Sequence, residues 1–170
     1  MNYKLINMKV FGDERGKLVS LESNKNIPFD IKRVYYIFDT IPDLERGKHA
    51  HKNLEQLIIA IDGACQFVLD DGKTQEKIWL NSPEKALYIG PGMWREMRHF
   101  SYGCKLMVLA STHYDEKEYI RDYNDFLKEK EKIEKLSIAE QKSFYEQLLK
   151  NKHDKTEVHV MASFCYGQLF

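Results

Sequence analysis

From residue 3 to about 112 the chain is cut by turn signals into short apolar, β-branched and aromatic runs, with no helical periodicity between them. The run IKRVYYIFD occupies 31–39, and further strand-like runs cover 17–22, 54–61, 64–70, 74–80, 85–89 and 104–111. Asp62-Gly63 and Asp71-Gly72 carry hairpin chemistry, and Gly90-Pro91-Gly92 breaks the chain ahead of a new segment. Strands at this spacing fold as an antiparallel sandwich or a small barrel, so the expected class is all-β. Helical signals begin only after Tyr114. Ser137 and Glu140 form a capping box, which predicts two helices near 122–135 and 138–150. The segment TEVHVMASF, 156–164, alternates like one last strand. The expected division is a β domain over 1–126 and a helical extension over 127–170.

Charge and composition narrow the partners. Twenty-six basic residues balance 26 acidic ones, so no global field draws the protein to nucleic acid or to an anionic membrane. Any anionic ligand must be held by a local cluster. The longest apolar runs, LIIAI and LMVLA, fall far short of a bilayer span, and the first residues lack a signal-peptide pattern. Three widely spaced cysteines, Cys65, Cys104 and Cys165, fit neither a disulfide framework nor a zinc ribbon. These features predict a soluble cytoplasmic protein.

The segment RGKHAHKNLEQ, 46–56, carries the sharpest chemical signal. In an extended strand, residues two apart share a face, so His49 and His51 project together. Glu55 has the same parity and joins them if the strand runs on without a bulge. Two imidazoles at one place can ligate a metal or move protons near neutral pH.

HxHxxxE followed by a glycine, here Gly63, resembles the first motif of the cupin superfamily. That resemblance implies an all-β, small cupin (RmlC-like) jelly-roll barrel with a short C-terminal helical extension. Many cupins complete a metal site with a His from a second motif around P-x-G. The corresponding stretch here, GPGMWREM at 90–97, has no His, and Arg95 would repel a cation. His99 lies further along, and three oxygen or nitrogen ligands can hold a metal, so an ion is not excluded. The site is expected to be metal-free.

More specifically, ERG at 14–16, NIPFDIKRVYYIFD at 26–39, RGKHAHK at 46–52, LYIGPGMWREM at 87–97 and VLAS with YDEKEYIRDY at 108–123 resemble the bacterial sugar 3,4-ketoisomerases. The likeness covers roughly residues 3–126. It implies conversion of dTDP-4-keto-6-deoxy-D-glucose to a dTDP-3-keto-6-deoxyhexose, supplying 3-amino-3,6-dideoxy sugars for surface glycans such as lipopolysaccharide or S-layer glycans. It also implies a homodimer in which N-terminal strands, around 3–11, cross to the partner; exposed sheet edges favour such pairing.

Moving a ketone from C4 to C3 needs a base, a proton donor and groups that stabilise charge on oxygen, and no redox cofactor. His51 and His49 suit the first two tasks. Tyr35 could donate to an enediolate oxygen or simply pack in its strand, and the resemblance favours the site. Arginine forks suit the diphosphate. Of six arginines, Arg15, Arg33 and Arg46 lie in the family-like motifs and are expected contacts, with Arg95 bearing on protonation at C4. Arg98 and Arg121 read as surface ion pairs. Trp94 and Met93 could wall the thymine or sugar. Two alternatives stand beside this reading: a metal-dependent cupin enzyme, dioxygenase or epimerase, and a non-catalytic sugar-binding cupin.

Overall fold

A computed structural model describes residues 1–150 of the chain, with side chains through residue 140 and at 142 and 143. In chain order the strands are β1 (Tyr3–Asn7), β2 (Val10–Asp13), β3 (Gly16–Val19), β4 (Arg33–Ile37), β5 (Arg46–His51), β6 (Gln56–Asp62), β7 (Cys65–Asp70), β8 (Gln75–Leu80), β9 (Lys85–Ile89), β10 (Trp94–Arg98) and β11 (Lys105–Ala110). A 3₁₀ turn (Glu116–Glu118), β12 (Tyr119–Ile120) and the helix α1 (Tyr123–Lys150) follow. One five-stranded sheet has the order β1-β9-β6-β11-β4, the other β12-β5-β10-β7-β8, and β2-β3 is a separate hairpin. Every strand pairing is antiparallel. This is the all-β jelly-roll architecture expected of the sequence.

The alternation of side chains decides where each residue goes. Ile58, Leu87, Leu106 and Val108 of the first sheet meet Phe67, Leu69, Ile78 and Leu80 of the second in one interior core. The opposite faces of those first-sheet strands are covered too: Leu57, Ile59, Ala86 and Leu109 pack under Ile27 and Phe29. Two buried faces explain why Leu57 to Ala60 reads as a continuous apolar run rather than an alternating one; Ile61, at its end, is exposed. Gly63 closes the β6–β7 hairpin at a φ of +71°, where a Cβ would lie 2.4 Å from Ser101 Oγ.

The chain divides into two units after Lys130, and the first, Met1–Lys130, holds both sheets and the opening turns of α1. Asp122 caps that helix, its carboxylate accepting from Asp125 N at 3.0 Å. Phe126 is 1% exposed and packs with Trp94 of β10 and Ala50 of β5. Burying such a ring contributes roughly 1.5–3 kcal/mol. Tyr123 adds a hydrogen bond to Asp70 at 2.8 Å, and Lys130 Nζ donates to Gly92 O at 3.0 Å.

Two helices were expected after residue 122, and one is found. Ser137 lies inside α1 instead of capping a second helix. No Gly or Pro interrupts 123–150, and a run rich in Lys, Glu and Leu propagates more easily than it restarts. The strand expected at 156–164 lies outside the described residues. Among the described residues no helix is long and apolar enough to cross a membrane.

Candidate active site

Strand β5 carries the histidines, and its shape is set by a bulge. Gly47 has a φ of +87° and Lys48 of +55°, opposite a register shift between Arg95 and Glu96 on β10. A Cβ at Gly47 would sit 2.8 Å from Arg95 O, so glycine is required there. Beyond the bulge His49 pairs in register with Arg95. Ala50 faces α1, and His49 and His51 face the opposite way, into the sandwich.

The two rings touch. His49 Nε2 and His51 Nε2 are 3.2 Å apart, and His49 Nδ1 lies 3.0 Å from Gly47 O. A carbonyl only accepts, so Nδ1 of His49 carries its proton and, in the neutral ring, Nε2 is bare. His51 must then donate from Nε2, which leaves its Nδ1 as a lone pair. That nitrogen is a buried lone pair with no protein partner among the described residues.

Burial, and then the cation of Arg95, hold both imidazoles neutral: His49 is lowered from 6.5 to about 4, and His51 to about 2. The sequence suggested groups titrating near neutrality. The enclosure and the neighbouring positive charge move them well below it.

Arg95 is 3% exposed and forms no ion pair among the described residues. Its Nη2 donates to Met93 O at 2.9 Å, its Nη1 donates to Gln56 Oε1, and its Nε has no partner. Burial lowers it to about 10, so it stays cationic at neutral pH. A buried cation among neutral acceptors is costly to maintain, and such arrangements cluster at functional sites.

The first sheet supplies the facing groups. Gln56, on β6, donates from Nε2 to Tyr35 Oη of β4 at 2.8 Å. Arg33 lies over the Tyr35 ring at 5.2 Å and over Tyr114 at 5.5 Å, its Nε buried without a partner. Tyr119 of β12 packs 4.3 Å from His51 and 5.0 Å from His49, centroid to centroid, with the Arg121 guanidinium 4.5 Å from its ring centre.

The expected residues therefore separate. His49, His51, Arg95, Tyr35 and Arg33 come together. Arg46 opens β5 as an exposed side chain, and Arg98 and Arg121 form the anticipated ion pairs, with Glu45 and Glu96 and with Glu116. Arg15 is not brought to the histidines: it sits exposed on the β2–β3 turn, bound to Asp13, because that hairpin lies over outer-face residues such as Ile59 and Met107. Trp94 does not face the histidines of its own chain either. It neighbours Arg95 in a strand, so it faces the other way, against Tyr123 and Phe126, with its Nε1 donating to Glu96 at 3.0 Å. Met93 belongs to the interior core, and His99 stacks on Trp79 instead of joining the pair. Glu55 does not join either. Strand β5 ends at His51, the chain turns, and Glu55 accepts from Tyr88 Oη at 2.6 Å.

Sequence reasoning missed Gln56 and Tyr119. A polar residue heading the apolar run QLIIAI was a readable signal for the first. Tyr119 reaches the site only through the pairing of β12 with β5, which nothing local announces. Among the described residues no three His, Cys, Asp or Glu side chains converge as a metal site.

Comparison with known proteins gives the same direction. The family described as FdtA: WxcM-like, C-terminal matches residues 1–131. A TDP-4-oxo-6-deoxy-alpha-D-glucose-3,4-oxoisomerase of Aneurinibacillus thermoaerophilus is 55% identical over 128 residues, spanning 75% of this chain and 92% of that protein. The crystal structure of a 3,4-ketoisomerase from Helicobacter canadensis is 56% identical, covering 77% of this chain and 98% of its own, with a TM-score of 0.76. The WlaRB TDP-quinovose 3,4-ketoisomerase from Campylobacter jejuni is 58% identical over 75% of this chain and 98% of its own, with a TM-score of 0.73.

The neutral histidines set a pH dependence of stability. Their folded values lie below the ordinary 6.5, so between about 6.5 and 4 the unfolded chain binds protons that the folded pair refuses. Stability is then full above that window and falls as the pH drops through it, by at most about 1.4 kcal/mol per pH unit for each histidine. Urea titrations at pH 7 and pH 5 should show this loss, reduced in His51→Asn. An equal loss in that variant would place its origin elsewhere.

Proposed function

Because the chain belongs to the FdtA: WxcM-like, C-terminal family, we propose that it converts dTDP-4-keto-6-deoxy-D-glucose to a dTDP-3-keto-6-deoxyhexose as an intramolecular 3,4-ketoisomerase. The observation that carries this reading is the unpaired Arg95 cation buried beside two neutral imidazoles and linked through Gln56 to a phenol. A base, a hydrogen-bond donor and a fixed positive charge are what an enediolate pathway needs.

His51 removes the C3 proton with its bare Nδ1. The electron pair forms the C3=C4 double bond, and the C4 carbonyl oxygen takes the negative charge. Arg95 and the Tyr35 hydroxyl stabilise that oxygen. The proton of the C3 hydroxyl moves to the adjacent O4, His51 returns its proton to C4, and the charge on O3 collapses to the new ketone. Atoms and charge balance with no external reagent. His49 holds His51 in the required tautomer, and the growing enediolate charge raises the proton affinity of His51 as the proton arrives.

Arg33, at the Tyr35–Tyr114 edge, and Arg46 take the diphosphate. No bound metal or redox cofactor has a step in this scheme. The metal-dependent alternative draws no support from the donor set, since Arg95 stands where it would repel a cation. In this reading residues 1–126 form the isomerase domain, 127–170 are an appendage, and the enzyme works in the cytoplasm. Its product is the ketone that an amino-transferring enzyme needs for a 3-amino-3,6-dideoxy sugar. In one chain β1 pairs with β9. The protein is further proposed to be a homodimer. Sedimentation equilibrium should then return twice the 20.1 kDa chain mass, and a monomer would reject it.

His51→Asn keeps a polar side chain but cannot take up a proton. It should fold and bind dTDP in calorimetry, while turnover of the keto sugar, followed by NMR, drops by about two to four decades. Near-normal turnover would move the base elsewhere.

A further inference from the structure

Gln56 heads β6 on the interior side of its sheet and is 4% exposed, within a strand otherwise apolar as far as Ile61. Its amide has two chemically different ends, and two different neighbours meet them. Arg95 carries only N–H donors, so the end it reaches must be the oxygen, Oε1. That fixes the orientation of the whole amide. Nε2 is turned to Tyr35 Oη at 2.8 Å and donates to it. The phenol oxygen is therefore occupied as an acceptor, and its own proton is left for another partner.

We propose that Gln56 is a positioning residue that, held by Arg95, fixes the Tyr35 hydroxyl as a hydrogen-bond donor to the keto oxygen of the substrate. This rests on the isomerase reading of the same site and adds a specific task to it. Without Gln56 the phenol rotates freely, and it can as well accept from the substrate hydroxyl as donate to the ketone. With Gln56 only one polarity remains. The relay spans both sheets, from β10 through β6 to β4, so the cation and the phenol act on one oxygen as a unit. Burial holds the Tyr35 phenol above its ordinary pKa of 10, and the hydrogen bond from Gln56 opposes that rise, which favours donation.

The test compares Gln56→Met, Gln56→Glu, Tyr35→Phe and Tyr35→Phe/Gln56→Met in the full-length protein. Methionine keeps the volume and removes the amide. In steady-state turnover of dTDP-4-keto-6-deoxyglucose, Gln56→Met should lower kcat about tenfold, with KM within about twofold, the loss of one charge-assisted relay. In the Tyr35→Phe background the same substitution should cost less than about threefold. The ¹³Cζ resonance of Tyr35 at neutral pH should shift in Gln56→Met, because its oxygen loses a donor. Glutamate keeps the contact with Arg95 and offers Tyr35 only acceptors, so it should cost at least as much as Tyr35→Phe. A full tenfold loss in the Tyr35→Phe background, an unmoved Tyr35 resonance, or wild-type kcat in Gln56→Glu would each overturn the proposal. Should the wild-type protein not turn the sugar over, the isomerase reading falls, and the Tyr35 resonance still decides the relay.

Discussion

A cation held inside the sandwich, with no anion paired to it among the described residues, organises this protein. Burying Arg95 removes its hydration, and the structure returns only neutral acceptors, the amide oxygen of Gln56 and the carbonyl of Met93. Two features of its surroundings respond to that charge. It helps hold both imidazoles in the base form, and it sets the amide of Gln56 and through it the hydrogen bond of Tyr35. A site built for stability alone would pair such a guanidinium with a carboxylate or replace it with an apolar side chain. In the proposed mechanism the missing anion is supplied by the reaction, as charge gathers on the sugar oxygen.

The residues that do no chemistry place the ones that do. Ala50 separates the two histidines and Trp94 precedes Arg95, and both turn outward to meet Phe126 of α1. The first turns of the helix therefore press on the backs of β5 and β10 while their inner faces carry the site. On the far side, Leu57 packs outward next to Gln56 and keeps the first sheet in place. The period of two along a strand gives each functional side chain a packed neighbour, which fixes it to within a rotamer.

Much of this was legible because strands report their faces. The HxH spacing put His49 and His51 on one side; in the structure the same alternation sets Arg33 with Tyr35 on one face of β4 and leaves Tyr36 and Phe38 exposed. The same rule, applied to GMWREM, would have separated Trp94 from Arg95, but the start of β10 behind Gly90-Pro91-Gly92 left its register open. Glu55 failed because parity survives only while a strand continues, and the turn after His51 resets it in favour of Gln56. Arg15 and Tyr119 depend on long-range placement, of a hairpin on an outer face and of a two-residue strand on β5, which no local pattern encodes. The Ser137 capping box was locally sound and lost to an uninterrupted helix.

The most direct test of the account is the turnover of Arg95→Met. Methionine fills a similar volume and relieves the buried charge, so the variant should be at least as stable as the wild type. With the His pair and Tyr35 intact, its rate on dTDP-4-keto-6-deoxyglucose, read by NMR, should nonetheless fall by about two to three decades, the scale of losing one preorganised electrostatic group. A folded Arg95→Met enzyme within about threefold of wild type would contradict the claim that the buried Arg95 cation drives the chemistry.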